Sequence, residues 1–504
     1  MQPQYDNKVL RNLEAISKTT ARIDARLEPR VGIKTILETT ARVFLNDHER
    51  EDDGIRINGR VITRVVFIDE MGTFNSDERT NNFSERIILS NAANLTDILP
   101  SAHVQDVRVT EGGTNSVDAQ VNIEITLLGL SSREVRYVTG VTGEVESRMQ
   151  STRITSWGGA ISSRFEIEER IDLDKSCEGI LGVDVVPVLR DLVTGEGRVT
   201  LKGVAGINIL ATKRGDEQCV YNDNVEFDFS KTIQHKTLGI DDSVVGTVTV
   251  ANVEVRAETK ESPQLVVTTT LEFRGFSIVS QELSTLGDAY GFAHHLDLKL
   301  SDIDCVTTLP AHHTNIEVDG NLNMGEKSPF ITKILSVGTA SITSLNVTAQ
   351  NDRATIEGAL SSNITYECEE KQIHAHVVKV PFSTQIKMDG ITATHNISAK
   401  VDVTQCRVRA RRGRELLVDA RLGVALSAHT QTTVQIVTDV TLGEAKPTDD
   451  SAILIYTVGD GETTWDIAKR LNCRASEILA QNQIDGDPRP GDKIFIYRQL
   501  TVNF

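Results

Sequence analysis

One arrangement of residues occurs three times in the chain and limits what it can fold into. Each copy has a run in which apolar and polar residues alternate around one glycine, and a Phe-Ser pair follows 24, 26 and 24 residues later. Alternation with a period of two predicts a half-buried strand, and an interior glycine indicates a bend or close approach. Matching order and spacing predict one structural unit in three copies. The positions are Gly59 with Phe83 and Ser84, Gly203 with Phe229 and Ser230, and Gly358 with Phe382 and Ser383.

Each copy then continues into two alternating runs separated by polar turn residues. Such a pair predicts a β-hairpin. Aromatic residues make up only 5% of the chain, but Val, Thr and Ile recur in short runs, which favours strands. The sequence therefore predicts a mainly β fold with three tandem β-sandwich-like repeats. The hairpin runs are 104–109 with 117–127, 248–255 with 265–273, and 399–408 with 415–426.

The first residues and the last fifty do not follow the repeat. Residues 7–27 carry alternating charges, which we interpret as a helix within an N-terminal lead-in. A polar segment that contains Pro447 reads as a linker. The resulting domain prediction is a helical lead-in at 1–29, repeats at 30–150, 160–290 and 320–444, a linker at 445–452 and a separate module at 453–498.

The C-terminal module predicts a βααβ order. A strand at 453–458 leads to a helix at 464–471, which Thr463 can cap while Asp466 occupies its third position. A second short helix and a final strand at 493–497 follow. The matching segments are Tyr-Thr-Val at 456–458, Gly-Asp-Gly-Glu-Thr-Thr-Trp-Asp-Ile-Ala at 459–468, Glu-Ile-Leu-x-x-Asn at 477–482 and Pro-Gly-Asp-Lys-Ile at 490–494.

These segments resemble a LysM domain over the whole module. The resemblance implies binding of N-acetylglucosamine polymers such as peptidoglycan, in a shallow groove between two loops. Trp465 and Ile484 are equally explained as core residues, Asn482 as a helix end and Thr463 by capping alone. Some LysM domains bind proteins, so the ligand stays open. The resemblance places Gly461, Glu462, Thr463 and Thr464 on one wall, and Asn482, Gln483, Ile484 and Asp485 on the other.

Three β-rich repeats followed by one LysM domain resemble the SPOCS-domain spore coat proteins of endospore-forming bacteria. The Phe-Ser step and the closing hairpins carry this resemblance. It implies a protein of the mother-cell cytoplasm at the forespore surface. There it would attach the coat through the coat ATPase that forms the basement layer. Other coat proteins, or further copies of the chain, would be additional partners.

Charge and composition exclude several classes of function. The chain has 53 Lys and Arg against 71 Asp and Glu, a net charge of −18, which disfavours nucleic acid and anionic lipid as partners. No stretch of about 20 apolar residues predicts a membrane span, and the N-terminus has no secretory signal pattern. Six scattered cysteines without a C-x-x-C pair predict reduced thiols rather than a zinc site. We expect no cofactor.

Two local clusters have alternative interpretations. The histidine pairs at 294–295 and 312–313, with three aspartates between them, are the candidate metal ligands, but the lack of a metal-ligand spacing motif disfavours a metal site. Five arginines between Arg407 and Arg414 favour a solvated hairpin tip over an anion site.

The leading hypothesis is a non-enzymatic scaffold whose repeats assemble and whose LysM domain docks to peptidoglycan or to a coat partner. The alternatives are a cell-wall enzyme targeted by its LysM domain and a self-assembling surface or filament protein.

Overall fold

The architecture was analysed in a computed structural model that describes residues 1–89, 92–113, 115–214, 219–259, 263–326, 328–447 and 453–497. Nearly all of these residues lie in antiparallel strands, so the predicted mainly β fold is confirmed. Residues 448–452 of the predicted linker and residue 498 of the predicted C-terminal module lie outside the described residues.

The first unit is a sandwich of two three-stranded layers. One layer has the order β2-β3-β4 and the other β1-β6-β5. Buried side chains of β3, such as Ile57, pack against those of β6, such as Ile123. A short 3-10 helix at Ala92–Asn94 precedes β5. The strands are β1 (Gln2–Leu27), β2 (Ile33–Glu51), β3 (Gly54–Asp69), β4 (Phe74–Ile88), β5 (Leu95–Gly113) and β6 (Ser116–Thr142).

The helix predicted for the N-terminal lead-in is wrong, because Gln2–Leu27 is one strand that pairs with β6 from Gln2↔Thr142 to Leu27↔Val117. The charged residues that resembled a helical pattern alternate with buried ones over residues 21–27. That period of two fits a strand with one face on a core. The buried residues there are Ala21, Ile23, Ala25 and Leu27.

The second unit has the same strand order. Its layers are β8-β9-β10 and β7-β12-β11, and the core lies between them. The strands are β7 (Val145–Asp172), β8 (Cys177–Gly195), β9 (Arg198–Lys213), β10 (Cys219–Gln234), β11 (Ser243–Thr259) and β12 (Pro263–Gly291).

The third unit repeats this order with two interruptions. Its first strand is divided into β13 and β14, which both pair with β20, and its second strand is divided into β15 and β16, which both pair with β17. β18 pairs with β17, and β19 pairs with β20. The strands are β13 (His294–Thr308), β14 (His312–Asn323), β15 (Ile331–Val337), β16 (Ser341–Gln350), β17 (Arg353–Cys368), β18 (Ile373–Lys387), β19 (Asn396–Arg412) and β20 (Glu415–Ala445).

All three predicted hairpins are present, as β5–β6, β11–β12 and β19–β20. The first strand of each unit pairs with the last one, at positions before the predicted starts at 30, 160 and 320. We therefore propose unit boundaries at 2–142, 145–291 and 294–445.

The glycine and the phenylalanine of each copy are direct cross-strand neighbours: Gly59↔Phe83, Gly203↔Phe229 and Gly358↔Phe382. At each glycine, an added Cβ would lie closer than 3.0 Å to the phenylalanine ring and to a backbone carbonyl oxygen of the neighbouring strand. The ring thus covers the backbone where a side chain is absent, an arrangement known from designed sheets. The conserved spacing within the chain follows from this contact.

Beyond the sandwiches, the first and last strands of each unit continue as a two-stranded ribbon. The three ribbons pack against one another and form what we call the stem, made of 2–13 with 130–142, 145–157 with 278–291, and 294–308 with 429–445. Its interior is apolar and takes residues from every unit. The buried stem residues include Leu10 and Tyr137 of the first unit, Ile154 and Leu283 of the second, and Ile303 and Ile436 of the third.

Replacement of Gly203 by alanine tests the glycine–phenylalanine contact. The new methyl group meets the Phe229 ring and the Val188 carbonyl oxygen, which lies 2.5 Å away and cannot rotate aside. We expect Gly203→Ala to lower the free energy of unfolding by about 1–3 kcal/mol, measured by urea denaturation. Gly159→Ala is the matched control, because nothing lies within 4 Å of its Cβ position. Equal stability of the two variants would contradict the contact.

Candidate binding site in the C-terminal module

The C-terminal module packs two short helices on one face of a two-stranded sheet. The strands β21 and β22 pair from Ile453↔Tyr497 to Thr457↔Lys493. The helices and strands meet at an apolar core that includes Ile467, Ile478 and Ile494. The elements are β21 (Ile453–Thr457), α1 (Thr464–Leu471), α2 (Ala475–Asn482) and β22 (Lys493–Tyr497), so the predicted βααβ order is present.

The first predicted wall of the groove is held by its own hydrogen bonds. The Glu462 carboxylate accepts from the Gly459 N–H at 2.7 Å and from the Tyr456 hydroxyl at 2.8 Å, and forms an ion pair with Arg470. The Gly459 N–H and then the Tyr456 hydroxyl lower the pKa of this carboxyl below its ordinary value. Thr463 caps α1 in a capping box with Asp466, as the sequence predicts.

Thr464 joins the first predicted wall to the two residues that directly follow the second one, Gly486 and Asp487. Its backbone N–H donates to the Asp487 carboxylate at 2.8 Å, and its hydroxyl donates to the Gly486 carbonyl oxygen at 3.3 Å. The Thr464 side chain is itself buried. These contacts fix the spacing between the loop before α1 and the loop after α2.

The second predicted wall is divided between fixed and free side chains. Asn482 donates to the carbonyl oxygens of Ile478 and Phe495 and accepts from the Phe495 N–H at 2.8 Å, so it is committed to β22. Ile484 packs against the core of the module.

Gln483 and Asp485 are exposed, and their side chains make no hydrogen bond among the described residues. Of the eight predicted groove residues, these two and the exposed Gly461 remain accessible to a ligand. An amide and a carboxylate can bind the hydroxyl and acetamido groups of a sugar.

Comparison with protein-family models finds the SipL SPOCS domain at residues 331–411 and the LysM domain at residues 456–496. The chain contains a SPOCS domain and a C-terminal LysM domain. The first match runs from β15 to the end of β19 in the third unit, and the second covers the module described above. Comparisons with curated proteins and with solved structures each gave no significant match. Together the two domains support a sporulation-related, peptidoglycan-binding protein.

The LysM domain is docked on the end of the stem, a contact that the sequence analysis missed. The Asp288 carboxylate of β12 accepts from the Trp465 indole N–H at 2.8 Å and from the Lys469 ammonium group at 2.8 Å. Burial would raise the pKa of Asp288, but hydrogen bonds from Lys469 and Trp465 outweigh it and lower the pKa below its ordinary value. Asp288 is therefore a charged anchor for α1.

Aromatic rings complete the docking contact. The Tyr290 ring lies edge-on to Trp465 with centroids 5.0 Å apart, and its hydroxyl donates to the Cys473 carbonyl oxygen at 2.8 Å. The Arg148 guanidinium lies 5.3 Å from the centroid of the Trp465 ring. Trp465 thus belongs to the interface between the LysM domain and the stem.

The LysM sheet has an exposed apolar face on the side away from its helices. We call it the outer LysM face. It comprises two cross-strand pairs, Ile453↔Tyr497 and Ile455↔Phe495. The exposed fractions are 58% for Ile453, 59% for Ile455, 39% for Phe495 and 55% for Tyr497. Exposed apolar groups this close together mark a contact surface more often than singly scattered ones do.

The two other clusters singled out in the sequence lie in strands of the third unit. The His294 pair begins β13 opposite the end of β20 at Ala445, and the His312 pair begins β14 opposite Leu426 and Ala425 in the interior of β20. Within the described parts of the chain, no group of three or more His, Cys, Asp or Glu side chains could hold a metal ion. The arginine run occupies the β19–β20 hairpin tip, where Arg409 pairs with Asp419 and Arg414 lies over Phe330.

No helix among the described residues has the length and apolar character needed to cross a membrane.

Replacement of Asp288 by alanine tests the docking of the LysM domain. The variant removes the acceptor for Trp465 and Lys469, and loss of a charge-assisted hydrogen bond costs about 1.5–3 kcal/mol. We expect hydrogen exchange of α1 and of the stem end near Tyr290 to rise about tenfold or more. Asp460→Ala, at an exposed turn of the same domain, serves as the control and leaves exchange unchanged. Identical exchange in both variants would show that Asp288 does not hold the domain.

Proposed function

We propose that the protein is a non-enzymatic scaffold of endospore coat assembly, acting in the mother-cell cytoplasm at the forespore surface. In this proposal the three β units contact coat proteins or further copies of the chain. The LysM domain attaches the scaffold to its target. The pairing of a SPOCS domain with a LysM domain in one chain supports this role.

The observation that carries the proposal is the docking of the LysM domain on the stem. Asp288 and Tyr290 tie α1 to strand β12 of the second unit. A binding domain held in a fixed orientation loses less freedom when it engages its target than one on a loose linker. The arrangement suits a scaffold, because it holds the target of the LysM domain at a fixed position relative to the three β units.

For the ligand of the LysM domain, we propose an N-acetylglucosamine polymer bound at the groove between the loops at 461–464 and 482–487. The hydrogen bonds from Thr464 to Asp487 and Gly486 hold this groove in one shape before a ligand arrives. Gln483 and Asp485 supply free polar groups for sugar hydroxyl and acetamido groups.

Sedimentation with insoluble peptidoglycan tests the groove. We expect the full-length protein to sediment, and the double variant with Gln483→Ala and Asp485→Ala to bind about tenfold more weakly, because each lost hydrogen bond costs about 0.5–1.5 kcal/mol. Ser476→Ala, exposed on α2, is the control. Sedimentation of the double variant at the level of the control would reject this groove.

The outer LysM face favours a second candidate, a protein partner such as the coat ATPase of the basement layer. Ile453, Ile455 and Phe495 offer exposed apolar side chains, which cannot hydrogen-bond the hydroxyl groups of a sugar. Protein interfaces have apolar and aromatic residues at their centres. The two candidates use different surfaces of one small domain, so the same chain can serve both.

Capture of the purified coat ATPase by the full-length chain tests the protein candidate. We expect Ile455→Glu with Phe495→Glu to abolish capture, because a charge must be desolvated at the apolar centre of the contact. Peptidoglycan sedimentation of this variant stays at the wild-type level. Ser476→Glu adds one negative charge away from the outer LysM face and keeps capture intact. Capture that survives the double substitution would remove this face from the proposal.

A further inference from the structure

The three units also meet outside the stem, at a place that we call the head joint. Equivalent leucines of the three units, Leu37, Leu181 and Leu335, pack there in one apolar cluster. Beside this cluster lie three buried charged side chains, Glu38 and Arg64 of the first unit and Asp184 of the second. Buried charges are rare unless they are paired, so their place between units calls for a physical account.

Arg64 and Asp184 form the paired part of the head joint. The Arg64 guanidinium donates to the Asp184 carboxylate at 2.5 Å, and the Thr339 hydroxyl of the third unit donates to the same oxygen at 2.7 Å. Gly182 leaves the space that the guanidinium fills, because a Cβ there would come closer than 3.0 Å to it. These contacts link all three units.

Glu38 reaches from β2 of the first unit into the third unit, and it has no comparable partner. Its residue is 7% exposed, and its Oε1 has no hydrogen-bond partner among the described residues. The carboxyl lies against Gly338, where an added Cβ would come closer than 3.0 Å to Oε1. The Thr339 backbone hydrogen-bonds to the carboxyl and favours its charged form.

The charges around Glu38 do not balance when its carboxyl is ionised. Arg64 on β3 attracts it, but Asp184 on β8 repels it and accepts from one Arg64 nitrogen, while Nε and Nη1 of Arg64 have no hydrogen-bond partner among the described residues. At the edge of the joint, Arg42 on β2 lies 3.3 Å from Glu78 on β4 and 3.6 Å from Asp184, so three carboxylates face two guanidinium groups when Glu38 is ionised. Among the described residues of the third unit, Gly338 and Thr339 lie against the carboxyl, and neither titrates. Burial, the largest effect, raises the pKa of Glu38 to about 7.

We propose that Glu38 makes the contact between the first and third units depend on pH, closed when its carboxyl is protonated and loosened when it is ionised. Protonation removes the uncompensated buried charge and turns one oxygen into a donor. Ionisation leaves a carboxylate with an unpartnered oxygen in a dry contact, and opening of the contact lets water reach it.

The sign follows from linkage between protonation and opening. The pKa of Glu38 is raised in the closed joint relative to an exposed carboxyl, so the closed form holds a proton that the open form releases. Closure is therefore favoured at low pH and weakens as the pH rises toward about 7, after which it levels off. One proton per opening predicts an opening equilibrium that rises by up to about tenfold per pH unit between about pH 5 and 7.

Hydrogen exchange of the full-length chain from about pH 5 to 8.5, expressed as protection factors, measures this equilibrium. We expect protection at 33–42 and 334–342 to fall between pH 5 and 7 in the wild type. In Glu38→Gln, which keeps the shape without the titration, protection is constant and equals that of the wild type at low pH. Glu357→Gln, exposed on β17 of the third unit, keeps the wild-type profile. A flat wild-type profile, or an unchanged slope in Glu38→Gln, would overturn the proposal.

A second measurement does not depend on how well the variant folds. The infrared spectrum of the wild type in heavy water should contain a protonated-carboxyl band at pH 6 that disappears as the pH passes about 7. Loss of this band already near the ordinary pKa of a glutamate would equally overturn the proposal.

Discussion

The pairing of the first strand of each unit with its last strand is the interaction on which the rest of the structure depends. β1 lies beside β6, β7 beside β12, and β13 with β14 beside β20. Within a unit this pairing completes one layer of the sandwich. Because the paired strands extend past the sandwich, it also makes the ribbons of the stem, and the end of the stem presents Asp288 and Tyr290 to the LysM domain.

The repeat could be predicted because the residues that recur in it contact one another in the structure. When a glycine and a phenylalanine face each other on neighbouring strands, the number of residues between them stays nearly constant as long as the turn between the strands has a similar length. Gly203 and Phe229 show the cause, since the ring occupies the space of the missing side chain. The capping of α1 by Thr463 was predictable for the same reason, because its partner Asp466 is local.

Long-range contacts explain what the sequence did not reveal. The alternating charges of the N-terminal strand led to the prediction of a helix. Its strand character shows in the burial of every second residue from Ala21 to Leu27, which depends on a partner strand about 100 residues away. The docking contact between the LysM domain and the stem was missed because Trp465 and Asp288 are 177 residues apart and no local sequence pattern marks either one. Of the eight predicted groove residues, the structure commits Glu462, Thr464 and Asn482 to internal hydrogen bonds, which no spacing motif could show.

The strand order also sets a sequence of events during synthesis. Gln2 finds its partner only when Thr142 has been made, so the ribosome releases β1 long before its ladder can form. Contacts between such distant residues form slowly, and an unpaired strand edge is prone to wrong partners in the meantime. The ribbon of the third unit closes last, just ahead of the LysM domain. The residues of the second unit that hold this domain, Asp288 and Tyr290, have by then long been translated and wait for it.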